Sequence, residues 1–286
     1  MENAREPNRQ PAADKLREYE LALCSAATEF TLPLELISWN QYLLRRHMAE
    51  NGPAYSQQLV GDSLRDIHAA TVQLERMVDN FTQLCACLCG NVPVQQAGLD
   101  LASLLHSICA DHEAIYHAVG VELAARFDAG TLWYTVGDPV LAERVLLHLL
   151  SNALRACDRG GRVEFRLSSR KGEILLCVQD SGCGLTEERF RAALQLANPE
   201  KEDRFRGGTG LGLFLCAEYC RLLGWKMELQ PVEQGTCLCL IIPERRAVAG
   251  QLFLHSPQQT GQTVSRRALL RTLQSVPGLQ DLDEPF

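Results

Sequence analysis

Apolar residues recur at seven-residue spacing near the start of the chain and again after a short break. The first set is Leu16, Leu23, Phe30, Ile37 and Leu44. After Asn51-Gly52-Pro53, the second set follows in alternating steps of four and three residues: Val60, Leu64, Ile67, Thr71, Leu74, Val78, Phe81, Cys85 and Leu88. A heptad pattern over two segments joined by a short turn predicts a helical hairpin. Because two helices bury such a seam poorly, we expect a second copy to complete an antiparallel four-helix bundle. The alternative is that both helices fold against their own chain.

Beyond a linker that contains Pro93 and Gly98, the pattern switches between helical and strand periods. We expect helices at 99–119 and 139–157, the second capped by Asp138, and a last helix that ends near Gly224. Apolar runs and alternation predict strands at 121–127, 132–136, 162–168, 173–179, 225–231 and 236–242. The predicted fold class is α+β, a helical hairpin followed by a domain of helices and strands.

Four regions follow from these patterns. Residues 1–14 are polar and contain proline, so we expect them to be disordered. Residues 15–92 form the predicted hairpin and residues 93–243 the mixed domain. Residues 244–286 are a tail of unknown role. Residues 264–276 fit a docking or membrane-surface helix or, with more weight, a plain surface helix.

Composition argues against several classes of protein. The formal net charge of −7 argues against sequence-independent nucleic-acid binding, which needs a positive surface. The sequence has no apolar run of transmembrane length and no apolar signal core at its start. Its 12 cysteines are scattered, which is typical of reduced thiols, so we expect a cytoplasmic protein. Cys85, Cys87 and Cys89 would need outside ligands to hold a metal, and packing as small apolar residues is the favoured interpretation.

Three motifs in the second domain together have the composition of a nucleotide pocket. They are a helix with polar residues on one side (143–155), the turn Asp180-Ser-Gly182-Cys-Gly184-Leu185 after an apolar strand, and the glycine-rich segment 207–213 that opens another apolar helix. A single glycine-rich turn would be weak evidence, because glycine marks any tight turn. Three such elements in this order are much stronger.

Each motif has a physical reason to bind part of a nucleotide. The carboxylate of Asp180 can accept a hydrogen bond from an exocyclic amine such as the N6 of adenine, and Gly182 and Gly184 let the backbone approach a flat base. A glycine-rich turn before a helix offers free N–H groups and a favourable dipole to phosphates. His148 and Asn152 share a helix face, and the amide oxygen of Asn152 suits Mg²⁺ held against phosphates.

This three-part pattern resembles the ATP-binding domain shared by histidine kinases, gyrase, MutL and the Hsp-type chaperones, and the histidine-kinase branch most of all. The resemblance implies an α/β sandwich with a mixed sheet, and ATP and Mg²⁺ as cofactors. It implies that Asn152 binds magnesium, that Arg155 contacts phosphate and that Asp180 binds adenine. The other ATP-binding positions that it implies are His148, Gly182, Gly184, Gly208, Thr209, Gly210, Leu211 and Gly212.

Two positions depart from the kinase pattern. His148 stands where the kinases usually carry an asparagine and where gyrase-like ATPases carry a glutamate that activates water. A buried neutral imidazole is a poorer base than a carboxylate placed for water, so we do not expect vigorous ATP hydrolysis. Ala156 replaces a residue that is often aromatic or histidine, which we expect to reduce nucleotide affinity.

The first helix resembles the dimerisation and phosphotransfer hairpin of histidine kinases, aligned on Pro33 and the apolar run behind it. The family motif His-Glu-x-x-(Thr/Asn)-Pro reads Thr28-Glu29-Phe30-Thr31-Leu32-Pro33 here. Glu29, which would accept the histidine proton, is present, but Thr28 replaces the phosphoacceptor histidine and Leu32 the residue that positions water. Because a threonine hydroxyl is a weak nucleophile without a dedicated base, we expect no normal histidine autophosphorylation.

The resemblance covers about residues 15–243 and implies a homodimeric, histidine-kinase-like phosphotransferase of a two-component signalling system. Its expected partners are a response-regulator-like protein or another kinase. One alternative is a pseudokinase that uses ATP to set the angle between hairpin and ATP-binding domain, and so gates a partner through heterodimerisation. A protein kinase of the anti-sigma type is a weaker alternative, because that branch usually has an acid at the position of His148 and lacks the long hairpin.

Overall fold

The computed structural model describes residues 30–51, 57–127, 131–195 and 211–245. Thr28, Glu29, the first half of the glycine-rich segment (207–210) and most of the tail lie outside the described residues. The predictions made for them therefore stay predictions.

The predicted hairpin is present. Helix α1 spans Thr31–Asn51 and helix α2 spans Gln57–Leu88, and the two pack along each other. Just before α1, the ring of Phe30 meets that of Phe81 of α2 edge to face, with the centroids 6.3 Å apart. Such aromatic pairs add to the stability that their burial gives. The turn at Gly52 and Pro53 lies outside the described residues, directly after the last residue of α1.

Part of the predicted apolar seam lies on the surface of the single chain. On α2, Leu64 is 54% exposed and Val78 is 52% exposed, and Thr71 midway between them is exposed as well. On α1, Trp39 is 59% exposed and its ring lies 5.7 Å from that of Tyr42. The hairpin therefore does not bury its whole seam against its own chain.

The last turns of α2 belong to the core of the second domain. Leu84 is fully buried in that core, and Phe81, Cys87 and Leu88 pack against it. The chain then forms strand β1, Ala97–Asp100, where the sequence predicted a linker and the start of a helix. A strand of four residues is too short to show a period, and so the pattern missed it.

A mixed five-stranded sheet forms one layer of the second domain. Its strands are β2 (Glu122–Arg126), β4 (Arg162–Arg170), β5 (Glu173–Asp180), β6 (Lys226–Gln230) and β7 (Thr236–Pro243), in the spatial order β2-β4-β5-β7-β6. Strand β2 runs parallel to β4 and the other pairs are antiparallel. Strand β3, Tyr134–Gly137, pairs instead with β1 in a small antiparallel sheet. The α/β sandwich with a mixed sheet is confirmed.

Helices cover one face of this sheet. They are α3 (Leu101–Val119), α4 (Pro139–Ala156) and α6 (Gly212–Leu223). A short helix that the sequence did not predict, α5 (Glu187–Ala193), lies between α4 and α6 in the chain. Alternate residues of the strands, such as Phe165 and Leu176, are buried in one core with Leu146 and Leu150 of α4. Burial of each such side chain contributes about 1.5–3 kcal/mol.

Asp138 caps α4 as predicted and also accepts a hydrogen bond from the linker that precedes β1. Its Oδ1 accepts hydrogen bonds from the N–H groups of Val140 (2.8 Å) and Leu141 (3.1 Å), and its Oδ2 accepts one from the N–H of Gln95 (2.7 Å). One carboxylate thereby fixes the start of the helix that carries the candidate site residues. Among the described residues, no helix is both long and apolar enough to cross a membrane.

Candidate functional site

Asp180 is the last residue of β5 and is held in place by the turn that follows it and by the first residue of β7. Its Oδ1 accepts hydrogen bonds from the N–H of Gly182 at 2.9 Å and from the N–H of Thr236 at 3.1 Å, and the Thr236 hydroxyl also bonds the carboxyl group. Burial raises the pKa of Asp180, and these hydrogen bonds oppose the rise. Since an ionised carboxylate can accept about four hydrogen bonds, roughly one acceptor position remains for a ligand.

The turn after Asp180 is packed tightly against the end of α4. A Cβ at Gly182 would lie 2.4 Å from the carbonyl oxygen of Ala156, and the N–H of Cys183 donates to the same oxygen at 3.3 Å. Gly182 is thus required by protein packing, a reason that the sequence did not give. A Cβ at Gly235 would come still closer, 1.8 Å from the carbonyl oxygen of Asp180. The sequence pattern did not single out Gly235 as a site residue, because a glycine ahead of a strand is common in turns.

The polar face of α4 carries His148, Asn152 and Arg155, and the first residue of α6 lies against it. An added Cβ at Gly212 would sit 3.6 Å from Asn152 Oδ1 and 3.8 Å from His148 Nδ1. The structure therefore brings the end of the third motif to the first motif, as the sequence predicted. Gly208, Thr209 and Gly210 lie outside the described residues.

Arg155 is bonded within its own helix. Its Nη2 donates to Asn152 Oδ1 at 2.6 Å, so the oxygen predicted to bind Mg²⁺ already accepts a charged hydrogen bond. An amide oxygen has a second lone pair, which leaves one position for a cation or a donor. The structure thus places a protein contact on both side chains for which only ligand contacts had been predicted.

Positive charge converges on His148. Burial lowers the pKa of His148 to about 4, and the nearby guanidinium groups of Arg155, Arg144 and Arg76 lower it further in that order. Burial, followed by Arg76, also lowers the pKa of Arg155, to about 9. A neutral imidazole among three arginines creates a positive field, which favours an anionic ligand such as a polyphosphate. Arg76 comes from α2, and the sequence gave no sign that it would lie here.

A glutamine of the hairpin joins the site through two side chains. The hydroxyl of Tyr219 on α6 donates to Gln83 Oε1 at 2.7 Å, and His148 Nε2 lies 3.4 Å from the same oxygen. The rings of His148 and Tyr219 are stacked with centroids 6.5 Å apart. With the glutamine oxygen as acceptor, His148 carries its proton on Nε2. Helix α2 therefore touches both helices that flank the predicted phosphate position.

The other histidines in the described part of the chain do not gather into a site. His112 is buried with its Nδ1 2.5 Å from the carbonyl oxygen of Ile108, and His106 packs edge to face on Phe127 at 4.9 Å. His47 is partly buried and His68 is exposed, on different helices of the hairpin. Within the described ranges, no group of three or more His, Cys, Asp or Glu residues is arranged to hold a metal ion.

Residues 137–246 match the sequence model of the family described as histidine kinase-, DNA gyrase B- and HSP90-like ATPases. The chain is 29% identical over 245 residues to the sensor protein TorS of Escherichia coli K12, a match that covers 83% of this chain and 25% of TorS. It is 25% identical over 236 residues to the histidine-protein kinase/phosphatase MprB of Mycobacterium tuberculosis, covering 79% of this chain and 45% of MprB. The chain therefore spans between a quarter and a half of these relatives.

Solved histidine kinases have the same fold. The kinase ThkA in complex with the response regulator TrrA aligns with a TM-score of 0.64 at 17% identity, covering 83% of this chain and 65% of ThkA. The Acinetobacter baumannii kinase AdeS aligns with a TM-score of 0.53 at 15% identity, covering 75% of this chain and 96% of AdeS. Residues 137–246 thus match the ATPase family model, and over most of its length the chain is similar in sequence to histidine kinases and shares their fold.

Proposed function

We propose that this histidine-kinase core binds Mg·ATP between α4, the turn after β5 and the start of α6, and acts as a signalling protein of the two-component type. One observation carries the proposal: the partly satisfied carboxylate of Asp180 and the arginine-rich face of α4 flank one site in an ATPase-type fold. In this proposal Asp180 accepts a hydrogen bond from the adenine amine.

The phosphates fit the other end of the site. Arg155, Arg144 and Arg76 supply positive charge there, and the start of α6 at Gly212 supplies N–H groups and a helix dipole. The glycine-rich segment 207–213, with Gly208, Thr209 and Gly210, completes the proposed phosphate loop. When bound, Mg²⁺ neutralises charge on the phosphates. The amide oxygen of Asn152 is its proposed protein ligand, through the lone pair that Arg155 does not occupy.

We further propose that the chain lacks the usual phosphorylated histidine. The position aligned with it is Thr28, followed by the acid Glu29. A hydroxyl is not nucleophilic at neutral pH unless a base removes its proton. At the ATP end, His148 remains neutral down to a pKa of about 4 and lies among positive charges, which does not suit it to take a proton from water. Both features argue for slow chemistry on ATP.

The exposed seam of the hairpin supports a homodimer. Leu64 and Val78 of the α2 seam are large apolar side chains, as are Leu36 and Trp39 beside the α1 seam. All four are between 42% and 59% exposed. Burial of this seam against a second copy would complete the four-helix bundle expected from the heptad pattern. ThkA, with the same fold, is in complex with a response regulator. A response-regulator-like protein or a kinase is accordingly the proposed partner.

The pseudokinase alternative gains support from Gln83. In that alternative, ATP sets the position of the hairpin relative to the ATP-binding domain. Gln83 of the hairpin is bonded to Tyr219 and lies near His148, so a nucleotide that shifts α4 or α6 would act directly on α2. The two candidates share ATP binding and differ in whether a phosphoryl group leaves ATP.

Binding of Mg·ATP by titration calorimetry tests the shared part. Asp180→Asn removes the carboxylate and places an amide there, and we expect at least a tenfold loss of affinity, which corresponds to about 1.4 kcal/mol. The matched control is Glu173→Gln, an exposed carboxylate at the opposite end of β5, for which we expect wild-type affinity. Equal affinity of wild type and Asp180→Asn for Mg·ATP would contradict the proposed role of Asp180 in nucleotide binding.

Incubation with γ-labelled ATP separates the candidates. Label on a partner, or acid-labile label on this chain, identifies phosphoryl transfer and contradicts the pseudokinase. Binding without any label identifies the nucleotide-gated form.

A further inference from the structure

Three cysteines lie together on the outer face of the five-stranded sheet. Cys177 of β5 is directly opposite Cys239 of β7 in the antiparallel register, and Cys237 lies two residues before Cys239 on the same strand. Residues two apart on a strand share a face, so all three side chains are on one side of the sheet. Their strand neighbours Val178 and Leu238 face the other way and belong to the helix-covered core, of which the three cysteines are not part.

The thiols are in contact. The thiol group of Cys177 hydrogen-bonds with those of both Cys237 and Cys239. Directly opposed residues of an antiparallel pair have Cα atoms about 4.5–5.5 Å apart. Disulfides span Cα distances of about 4.4–6.8 Å, whereas diagonal neighbours in a sheet lie about 7–8 Å apart. The geometry therefore selects Cys177 with Cys239 as the pair that can be bridged, and Cys237 as a neighbour that cannot.

The surroundings provide both reactivity and access. The hydrogen bond with Cys177 lowers the pKa of the Cys239 thiol. For Cys177, the bond with Cys237 lowers the pKa, but the bond with Cys239 and burial outweigh it and raise the pKa to about 11. Cys177 faces Arg166 across the β4–β5 pair, and this guanidinium counters part of the rise in the pKa of Cys177. A neighbouring guanidinium favours a thiolate. Cys177 is also the most exposed of the three, while Cys239 is only 2% exposed.

We propose that Cys177 and Cys239 form a thiol-oxidation site, at which a hydroperoxide converts the pair into a reversible cross-strand disulfide. The Cys177 sulfur attacks hydrogen peroxide as its proton passes along the hydrogen bond to the Cys239 thiolate, and Cys177 becomes a sulfenic acid. The hydroxide that leaves takes this proton from Cys239 to form water. The Cys239 thiolate then attacks the Cys177 sulfur, an S–S bond forms, and the second hydroxide departs. One thiolate, one thiol and one peroxide thus give one disulfide, one water and one hydroxide. The peroxide is reduced by the two electrons that the sulfurs lose.

This proposal concerns a different face of the sheet from the nucleotide site and does not rest on ATP binding. A metal site was the competing interpretation of three neighbouring thiols. Among the residues that the structure describes, these cysteines are not arranged to hold a metal ion, which favours the disulfide. Cys89 and Cys183 are exposed thiols outside the sheet and provide an internal comparison for accessibility without a cross-strand neighbour.

The test is mass mapping of the full chain after brief treatment with about one equivalent of hydrogen peroxide, alkylation and digestion. We expect a linked peptide pair that contains Cys177 and Cys239, absent after dithiothreitol, at a time when Cys89 and Cys183 remain mostly alkylated. In Cys239→Ser, we expect Cys177 to accumulate as a sulfenic acid that dimedone traps. The control Cys237→Ser should form the same disulfide as wild type. A wild-type disulfide between Cys177 and Cys237, or preferential oxidation of Cys89 and Cys183, would overturn the proposal without reliance on any variant.

Discussion

The two ends of the candidate site are held by different kinds of contact. At the Asp180 end, backbone N–H groups of Gly182 and Thr236 fix the carboxylate, and Gly235 presses against the backbone of Asp180 itself. At the α4 end, side chains hold one another. Arg155 is bonded to Asn152, and Gln83 joins Tyr219 and His148.

The difference predicts different behaviour on ligand binding. Backbone contacts between paired strands cannot change without disruption of the sheet, so the Asp180 end is expected to be preformed. Side-chain contacts can exchange by rotation of a few bonds, within nanoseconds at exposed positions. The α4 end can therefore release Arg155 from Asn152 and Gln83 from His148 when phosphates arrive. Within the described ranges, the hydrogen bonds from Gln83 of the hairpin reach this second end.

The largest expected effect is a loss of folding stability at the Asp180 end of the site. Gly235→Ala places a Cβ 1.8 Å from the Asp180 carbonyl oxygen at a residue with φ of 78°. We expect a loss of about 3–5 kcal/mol in the free energy of unfolding, measured with urea. Gly172→Ala is the matched control, because Gly172 has a φ of 81° and no atom within 4 Å of the added Cβ. Backbone strain alone costs about 1–2 kcal/mol there, and equal losses in the two variants would refute the packing argument.

An intermediate effect is expected at the hairpin contact. Gln83→Leu leaves the hydroxyl of Tyr219 buried without its acceptor, which costs about 1–3 kcal/mol in the free energy of unfolding. The double variant with Tyr219→Phe removes both partners and should recover part of that loss. A double-mutant cycle measures the difference. Strictly additive losses would show that the bond between Gln83 and Tyr219 does not stabilise the docked hairpin.

The smallest expected effect is the pH dependence set by His148. Its pKa is about 4 in the folded chain against an ordinary value of 6.5, because burial and three arginines disfavour the charged ring. Between these values the unfolded chain binds the proton more readily, so a fall in pH favours unfolding. We expect wild type to lose about 1–2 kcal/mol more than His148→Asn between pH 7 and pH 5. Parallel loss in both proteins would contradict the lowered pKa.

The sequence predicted the parts of the molecule that depend on period and local chemistry. The hairpin, the cap at Asp138, the strand pair β4–β5 and the three motifs all have such signals. Asp180 was predicted as a site residue because a carboxylate between an apolar strand and two glycines is a local pattern. The structure agrees with its position at the end of β5.

The missed features depend on contacts between distant parts of the chain. Gln83 and Tyr219 are 136 positions apart, and Arg76 reaches the site only because α2 docks on the second domain. Each looks like an ordinary helix residue in the sequence. The bond between Arg155 and Asn152 was missed for a different reason, since the resemblance assigned both side chains to a ligand. The order β2-β4-β5-β7-β6 likewise depends on pairing that no local pattern specifies.

Hydrogen exchange of the full chain with and without Mg·ATP tests the central claim most directly, because it reports on both ends of the site at once. We predict that amides at 180–184 and at Thr236 gain protection as the base binds. We also predict that amides in the last turns of α2, around Gln83, lose protection as the hairpin contact is released. No change at 180–184 under saturating Mg·ATP would contradict binding at this site, and protection there with an unchanged α2 would contradict its coupling to the hairpin.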